Sequence, residues 1–250
     1  LVWVRVIKPL ILLRRPYVIE EVRPERGSAW TLVMRPDGHR GFRFQPGQFA
    51  WITAGRTPFA DAEHPFSISS SAEDPQRLSM TIKALGDFTR TVKDLKPGQR
   101  VYLDGAFGAF SVDRHPHARG FVFIAGGIGI TPMMSMLSTL ADRGDRRPLW
   151  LLYANRDWES VTFREELEAL KQRLDLRVIH FLETPPADWQ GETGFINAEK
   201  LARLLPPERT QNMYEMFICG PKPMMDAVEK ALVEIKVPLG DFHSERFDMV

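Results

Sequence analysis

Two short stretches of the 250-residue chain place ligand-approaching groups at spacings that chemistry can use. The first, His64-Pro-Phe-Ser-Ile-Ser-Ser-Ser71, sets a histidine, a proline and an aromatic ring directly ahead of a run of hydroxyls. Such a run suits an edge strand entering a turn, and equally a surface that receives a flat ring with a polar rim, such as a flavin. The second is FVFIAGGIGITPMMSML, beginning at Phe121: an apolar run, a cluster of glycines, then a helical pattern. Gly126, Gly127 and Gly129 carry no side chain to hold a ligand away. Backbone amides there can approach a pyrophosphate at the positive end of the following helix. Thr131 is predicted to cap that helix and Pro132 to take its first position. Pro132 stands where the dinucleotide fingerprint has its third glycine, so the match to that fingerprint is incomplete.

Two further positions belong with the glycine cluster. The apolar run LWLLYA leads into Asn155-Arg156-Asp157, where a parallel-sheet nucleotide site meets the adenosine ribose. An arginine suits a 2′-phosphate and an acidic residue a free 2′-hydroxyl; Arg156 comes first, which favours NADPH and leaves NADH possible. The run MFICGPKP puts Cys219 at the carboxyl end of what reads as the last sheet strand, with Gly220 and Pro221 following. Ligands sit at that end of open parallel sheets, so the thiol has two readings, a contact for a nicotinamide or a small hydrophobe in the core.

The elements that must position these residues fall into two rhythms. From Tyr17 to Val112 there are short β-branched and aromatic runs (YVIEEV, AWTLVM, FQPGQFAWIT, FSIS, LSMTIKA, RVYLDGAFG) separated by Pro/Gly turns, the pattern of a β-barrel or sandwich. One short helix is predicted inside it, Asp87 to Leu95. After the linker HPHARG, strand-like runs alternate with helical ones, which reads as βαβ units and a parallel sheet. The predicted division is a juxtamembrane or linker segment at 1–15, a barrel at 16–115 and an α/β domain at 116–250, with Glu183 to Gln190 as a surface loop between elements.

Composition narrows the partners. With 33 basic against 32 acidic residues the net charge is +1, which advertises no nucleic acid. A single cysteine rules out an internal disulfide and any iron–sulfur cluster held by four thiolates of this chain, so electrons would need an organic carrier. Among the six histidines only His115-Pro-His117 forms a close pair. Both are read as solvated loop residues, and no metal site is expected. The opening LVWVRVIKPLILLRRPYVI is apolar, interrupted by Arg5 and Lys8, and shorter than the roughly 20 apolar residues that span a bilayer. Its basic residues, Arg5, Lys8, Arg14 and Arg15, suit the cytoplasmic face of a membrane, and an amphipathic strand entering a barrel fits as well.

Taken in order, HPFSISS, IKALGDFT, GGIGITP, CGP and the near-terminal ERF give the chain a resemblance to the ferredoxin–NADP⁺ reductase superfamily. It looks most like the cytosolic dehydrogenase region of ferric reductases and NADPH oxidases. The resemblance implies a six-stranded antiparallel FAD-binding barrel followed by a parallel-sheet NADP-binding domain. It places Phe66 against the isoalloxazine ring and Ser67 within reach of flavin N5. The motif His64-Pro65-Phe66-Ser67 replaces the arginine form of the soluble enzymes, so the charge for the FAD pyrophosphate falls to Lys83 and the turn Gly86-Asp87-Phe88-Thr89, with Arg90 behind it. Phe247 would cover the flavin where nicotinamide enters, although three residues follow it where close relatives often end at the aromatic.

By that resemblance Ser67, Cys219 and Phe247 are the residues at the hydride site. The implied activity is hydride transfer from NADPH to FAD, with single electrons passed to haems in a transmembrane domain of the same polypeptide, and ferric ion or oxygen as final acceptor. The alternative partner is an electron-carrier protein, as in a soluble reductase of ferredoxin, flavodoxin or an oxygenase. A non-catalytic nucleotide-sensing subunit is the third reading, and the intact motifs argue against it.

Overall fold

The computed structural model describes residues 2–55, 57–59, 63–211 and 213–246. The opening segment is not a strand. A π-type turn over Trp3–Ile7 runs into a helix, α1 (Lys8–Leu13), with Pro9 in its first turn, where a missing amide costs nothing. The strand alternative fails because apolar residues here recur around a helix rather than alternating. Leu12 is buried, and the Lys8 ammonium sits between Glu63 (2.7 Å) and Asp104 (2.8 Å) of the first domain. Trp3, Val6, Ile7, Leu10, Ile11 and Leu13 remain exposed.

Six strands follow: β1 (Tyr17–Glu25), β2 (Ala29–Pro36), β3 (Phe49–Thr53), β4 (His64–Ser67), β5 (Leu78–Lys83) and, after the short helix α2 (Asp87–Thr91), β6 (Arg100–Phe107). Their order is β4-β3-β6-β1-β2-β5, with every pair antiparallel. A bridge between Ile68 and Met80, with the Ser69 amide donating to the Ser79 carbonyl (2.8 Å), joins the two ends and closes the barrel. The predicted strand runs work because alternate residues turn inward: Tyr17, Ile19, Leu32, Met34, Ala50, Ile52, Met80, Ile82 and Leu103 fill the interior.

The second sheet is built from β7 (Gly120–Gly126), α3 (Ile130–Asp142), β8 (Leu149–Asn155), α4 (Arg164–Lys171), β9 (Leu176–Leu182), β10 (Glu192–Thr193), α5 (Ala198–Leu204), β11 (Tyr214–Cys219), α6 (Lys222–Glu234) and β12 (Phe242–Glu245). The order is β10-β9-β8-β7-β11-β12, parallel throughout. β7 is buried along its whole length, as a central strand covered on both faces must be. Phe121, Phe123 and Phe217 pack under α3, while Val122, Ile124 and Ile218 pack on the face of α6. β11 is not the last strand, contrary to the sequence reading. β12 adds outside it, and four residues of mixed polarity gave no strong strand signal.

The barrel and the parallel sheet meet along α3. Buried Ser135 donates its hydroxyl to the Ser70 carbonyl (2.8 Å), and the Thr139 hydroxyl accepts from the Ala72 amide (2.9 Å). These bonds satisfy polar groups that burial would otherwise penalise, and they fix how the two sheets face each other.

Candidate functional site

On the barrel side, the pairing of β4 with β3 fixes which residues face out. His64, opposite Ile52, and Phe66, opposite Ala50, share one face of β4. Phe88, from the first turn of α2, stacks on His64 with ring centroids 3.9 Å apart and planes 13° from parallel. Its ring is also 6.1 Å from that of Phe66, at 21°. The HPFS and GDFT stretches, more than twenty residues apart in the chain, thus form one aromatic row. Pro65 is exposed and Ser67 is buried.

Two polar atoms of β4 lack partners among the described residues. They are Ser67 Oγ and His64 Nε2, both buried. Burial also lowers the His64 pKa below its ordinary 6.5, so the imidazole is neutral at pH 7. Orphaned buried polar atoms are uncommon in a finished interior. Here they fit a flat ligand with hydrogen-bonding edges.

The turn ahead of α2 is held by Thr89, whose hydroxyl accepts from the Gly86 amide (2.7 Å) and the Leu85 amide (2.9 Å) and donates to the Gly86 carbonyl. Thr89 therefore shapes the loop that leads into α2. Lys83, half-buried, ends β5 close by in sequence.

On the other side, the sheet order reverses between β7 and β11, and the carboxyl ends of these strands open the crevice in which such sheets bind ligands. The glycines of both strands are needed for them to meet. A Cβ on Gly129 would lie 2.3 Å from the Cys219 carbonyl oxygen, and one on Gly126 would lie 2.8 Å from Pro221 Cδ. Gly220 packs against the Gly126 backbone in the same way. Two stretches ninety residues apart thus build one wall. Tyr153, from β8, donates its hydroxyl to the Gly127 carbonyl (3.1 Å) and holds the loop from below.

The start of α3 differs from expectation. The helix begins at Ile130, so Pro132 is its third residue rather than its first. Thr131 does not cap; its hydroxyl donates to the Ile128 carbonyl (3.0 Å). A 3₁₀ turn over Gly127–Gly129 already carries the chain into helical geometry, which moves the start two residues back.

Arg156 follows β8 and is exposed. Asp157 next to it is engaged locally: its Oδ1 accepts from the Ser160 amide (2.9 Å) and hydroxyl (2.8 Å), capping a short turn. These bonds hold the Asp157 carboxyl below its ordinary pKa. Of the two residues, Arg156 is the one with a side chain left for a ligand.

Cys219 is fully buried under the sheet, and burial, then the charge of Glu245, pushes its thiol well up. What it presents to the glycine loop is its carbonyl. Glu245, the first residue of the ERF segment, stands opposite Cys219 on β12. Its Oε2 is buried without a partner among the described residues, its Oε1 lies 3.7 Å from where a Gly108 Cβ would stand, and burial raises its pKa to about 7. Gly108 also packs on Phe49, which pairs with Ser67. The barrel and the parallel sheet therefore close on each other around this carboxyl. The clue in the sequence was an acidic residue two places before an aromatic. Phe247 itself lies outside the described residues.

The FAD-binding domain family matches residues 31–116, and the oxidoreductase NAD-binding domain family matches residues 123–230. The chain belongs to the ferredoxin–NADP⁺ reductase superfamily. It is 30% identical over 244 residues to the ferredoxin reductase component of 3-ketosteroid-9-alpha-monooxygenase from Rhodococcus rhodochrous, covering 95% of this chain and 65% of that protein. With NADH-cytochrome b5 reductase 1 of Laccaria bicolor it shares 35% identity over 179 residues, 70% of this chain and 58% of the relative. This reductase-like chain thus spans about two thirds or less of these relatives' lengths. Its fold matches the FAD/NAD-binding domain of nitric oxide dioxygenase from Vibrio cholerae with a TM-score of 0.80, at 24% identity, over 93% of this chain and 98% of that one. Among the described residues no helix is long and apolar enough to cross a membrane.

Proposed function

We propose that the chain is a flavin reductase unit that takes reducing equivalents from NADPH and passes electrons to a protein carrier or an oxygenase component. The observation that carries this reading is the crevice itself. The unpartnered Ser67 and His64 atoms line the barrel side, and the glycine-built wall of Gly126, Gly129 and Gly220 forms the other. FAD, when bound, supplies the conversion of a two-electron hydride into single electrons.

The chain's own residues do the alignment. Phe66 and the His64–Phe88 stack offer apolar area to a ring, and Ser67 Oγ offers a hydrogen bond at its edge. The first-turn amides of α2, with Lys83, face the flavin phosphates. The amides at the start of α3 face the nicotinamide cofactor's pyrophosphate, and Arg156 reads a 2′-phosphate. Cys219 and Gly220 bound the nicotinamide end. Glu245 holds a proton at its buried carboxyl near neutral pH.

A protein acceptor is favoured by the relatives, one a monooxygenase's ferredoxin reductase component and one a cytochrome b5 reductase. A second reading, electron delivery to haems of a membrane domain, draws support from the apolar residues exposed on the opening helical segment, Trp3, Val6, Leu10 and Ile11, and from histidine at position 64. Reduction of a soluble ferredoxin or cytochrome b5 by the chain with FAD and NADPH separates the two. Turnover with a soluble carrier supports the first, and flavin reduction without carrier turnover supports the second.

A further inference from the structure

A second cluster of ligating side chains lies away from the crevice, around the Phe217 ring. His115 comes from the segment between the barrel and the parallel sheet, Glu215 from β11 and His243 from β12. The two imidazoles sit 5.8 and 5.3 Å from Phe217, centroid to centroid, and 4.3 Å from each other. One carboxylate joins them: Glu215 Oε1 is 3.1 Å from His115 Nδ1, and Oε2 is 2.8 Å from His243 Nε2. The ligand atoms all lie within 4.8 Å of one another.

A tetrahedral zinc ion with bonds of about 2.0–2.2 Å holds its donor atoms roughly 3.4 Å apart. The cluster meets that spacing with small adjustments. Two imidazoles and a carboxylate are also a donor set suited to zinc; magnesium and calcium favour oxygen alone. The charge points the same way. Asp241, which precedes β12 and is 8% exposed, has an Oδ2 with no partner among the described residues, and its carboxylate lies near enough to interact with Glu215 and His243. Two carboxylates beside the two histidines offer negative charge that a divalent cation neutralises, in competition with Arg114 next to His115.

We propose that His115, Glu215 and His243 form a zinc-binding site that ties the connection between barrel and parallel sheet to the sheet edge. Glu215 lies four residues before Cys219, so the site is about 13 Å along β11 from the crevice, and loading it needs neither cofactor. The His115-Pro-His117 pair noted in the sequence contributes only its first member, because His117 is exposed and outside the cluster.

The test is titration of the chelator-stripped full chain with Zn²⁺ against a chromophoric chelator, with Co²⁺ absorption as a second readout. One ion per chain is expected, with tetrahedral-type Co²⁺ bands. Affinity should fall at least about tenfold, with loss of the bands, in both His243→Ala and Glu215→Gln. The glutamine keeps a hydrogen-bonding partner for the histidines, so folding is preserved, and circular dichroism checks it. Absence of stoichiometric binding, wild-type affinity in either variant, or Mg²⁺ competing as well as Zn²⁺ would each overturn the proposal.

Discussion

The His64 imidazole lies flat on the Phe88 ring at 3.9 Å, which locks the strand of the HPFS motif to the turn of the GDFT motif. In the proposed function one motif offers ring contacts and the other amides for the phosphate, so the stack would set their distance. Aromatic pairs of this kind contribute about 0.5–1.5 kcal/mol beyond their buried area. Phe88→Ala should therefore raise the FAD dissociation constant roughly 2- to 13-fold, read from flavin fluorescence. An unchanged constant would make the stack a barrel plug only.

Arg156 and Asp157 adjoin each other, but Asp157 is occupied by Ser160. Arg156→Ala should lower kcat/KM for NADPH by roughly 10- to 150-fold, the range for a charge-assisted contact of about 1.5–3 kcal/mol, and leave NADH nearly unaffected. Equal losses with both nucleotides would remove Arg156 from the 2′-phosphate.

Glu245 gives the cofactor-free chain a recognisable pH dependence. Its carboxyl moves from an ordinary 4.5 to about 7 on folding because it is buried. The folded chain binds the extra proton between those values, so this contribution to stability is full below 4.5 and is lost as pH rises through 7. Glu245→Gln should raise stability at pH 8 by up to about 3 kcal/mol relative to its effect at pH 4. Denaturant midpoints at the two pH values measure it, and a variant–wild-type difference that does not change with pH would contradict the assignment.

His180 acts with the opposite sign. Packed among Tyr153, Trp158 and Trp189 with Nδ1 buried and without a partner among the described residues, it falls from 6.5 to about 4 through burial. Its contribution is full above 6.5 and is lost as pH falls towards 4. His180→Phe, which suits the ring pocket, should flatten the loss of melting temperature between pH 7 and pH 4. A slope equal to wild type would show that carboxylates elsewhere account for all of it.

The barrel was legible where inward residues alternate, as in β2 and β5, and β7 where an unbroken apolar run meets glycines. Local pattern carried those elements. Four features depended on distant partners. β12 is strand only because β11 offers it an edge. Glu245 gains its shifted pKa from Gly108 and the closing domains. The serines after Ser67 are tied up by distant chain: Ser69 bonds Ser79 and Thr81 inside the barrel, and Ser70 accepts from the Ser79 amide while its carbonyl receives Ser135 of α3. The opening segment, read as a juxtamembrane or linker stretch or as a strand, is a helix pinned by Lys8 to Glu63 and Asp104. The glycine loop lay between these extremes: its chemistry was visible, but its partner wall at Cys219-Gly220 was visible only by position.

Ser67 Oγ is the buried hydroxyl that the proposed chemistry needs free. Ser67→Ala should leave FAD binding within a few fold, since a single neutral hydrogen bond is worth about 1 kcal/mol, and slow flavin reduction by NADPH in anaerobic stopped flow. An unchanged rate would take Ser67 out of the hydride site.

The central claim is tested most directly by an anaerobic absorbance titration of the purified chain loaded with FAD. The account predicts a flavin spectrum with the protein and full bleaching near one equivalent of NADPH. A chain that binds FAD and is not bleached by NADPH or NADH, or one that binds no FAD, would contradict it.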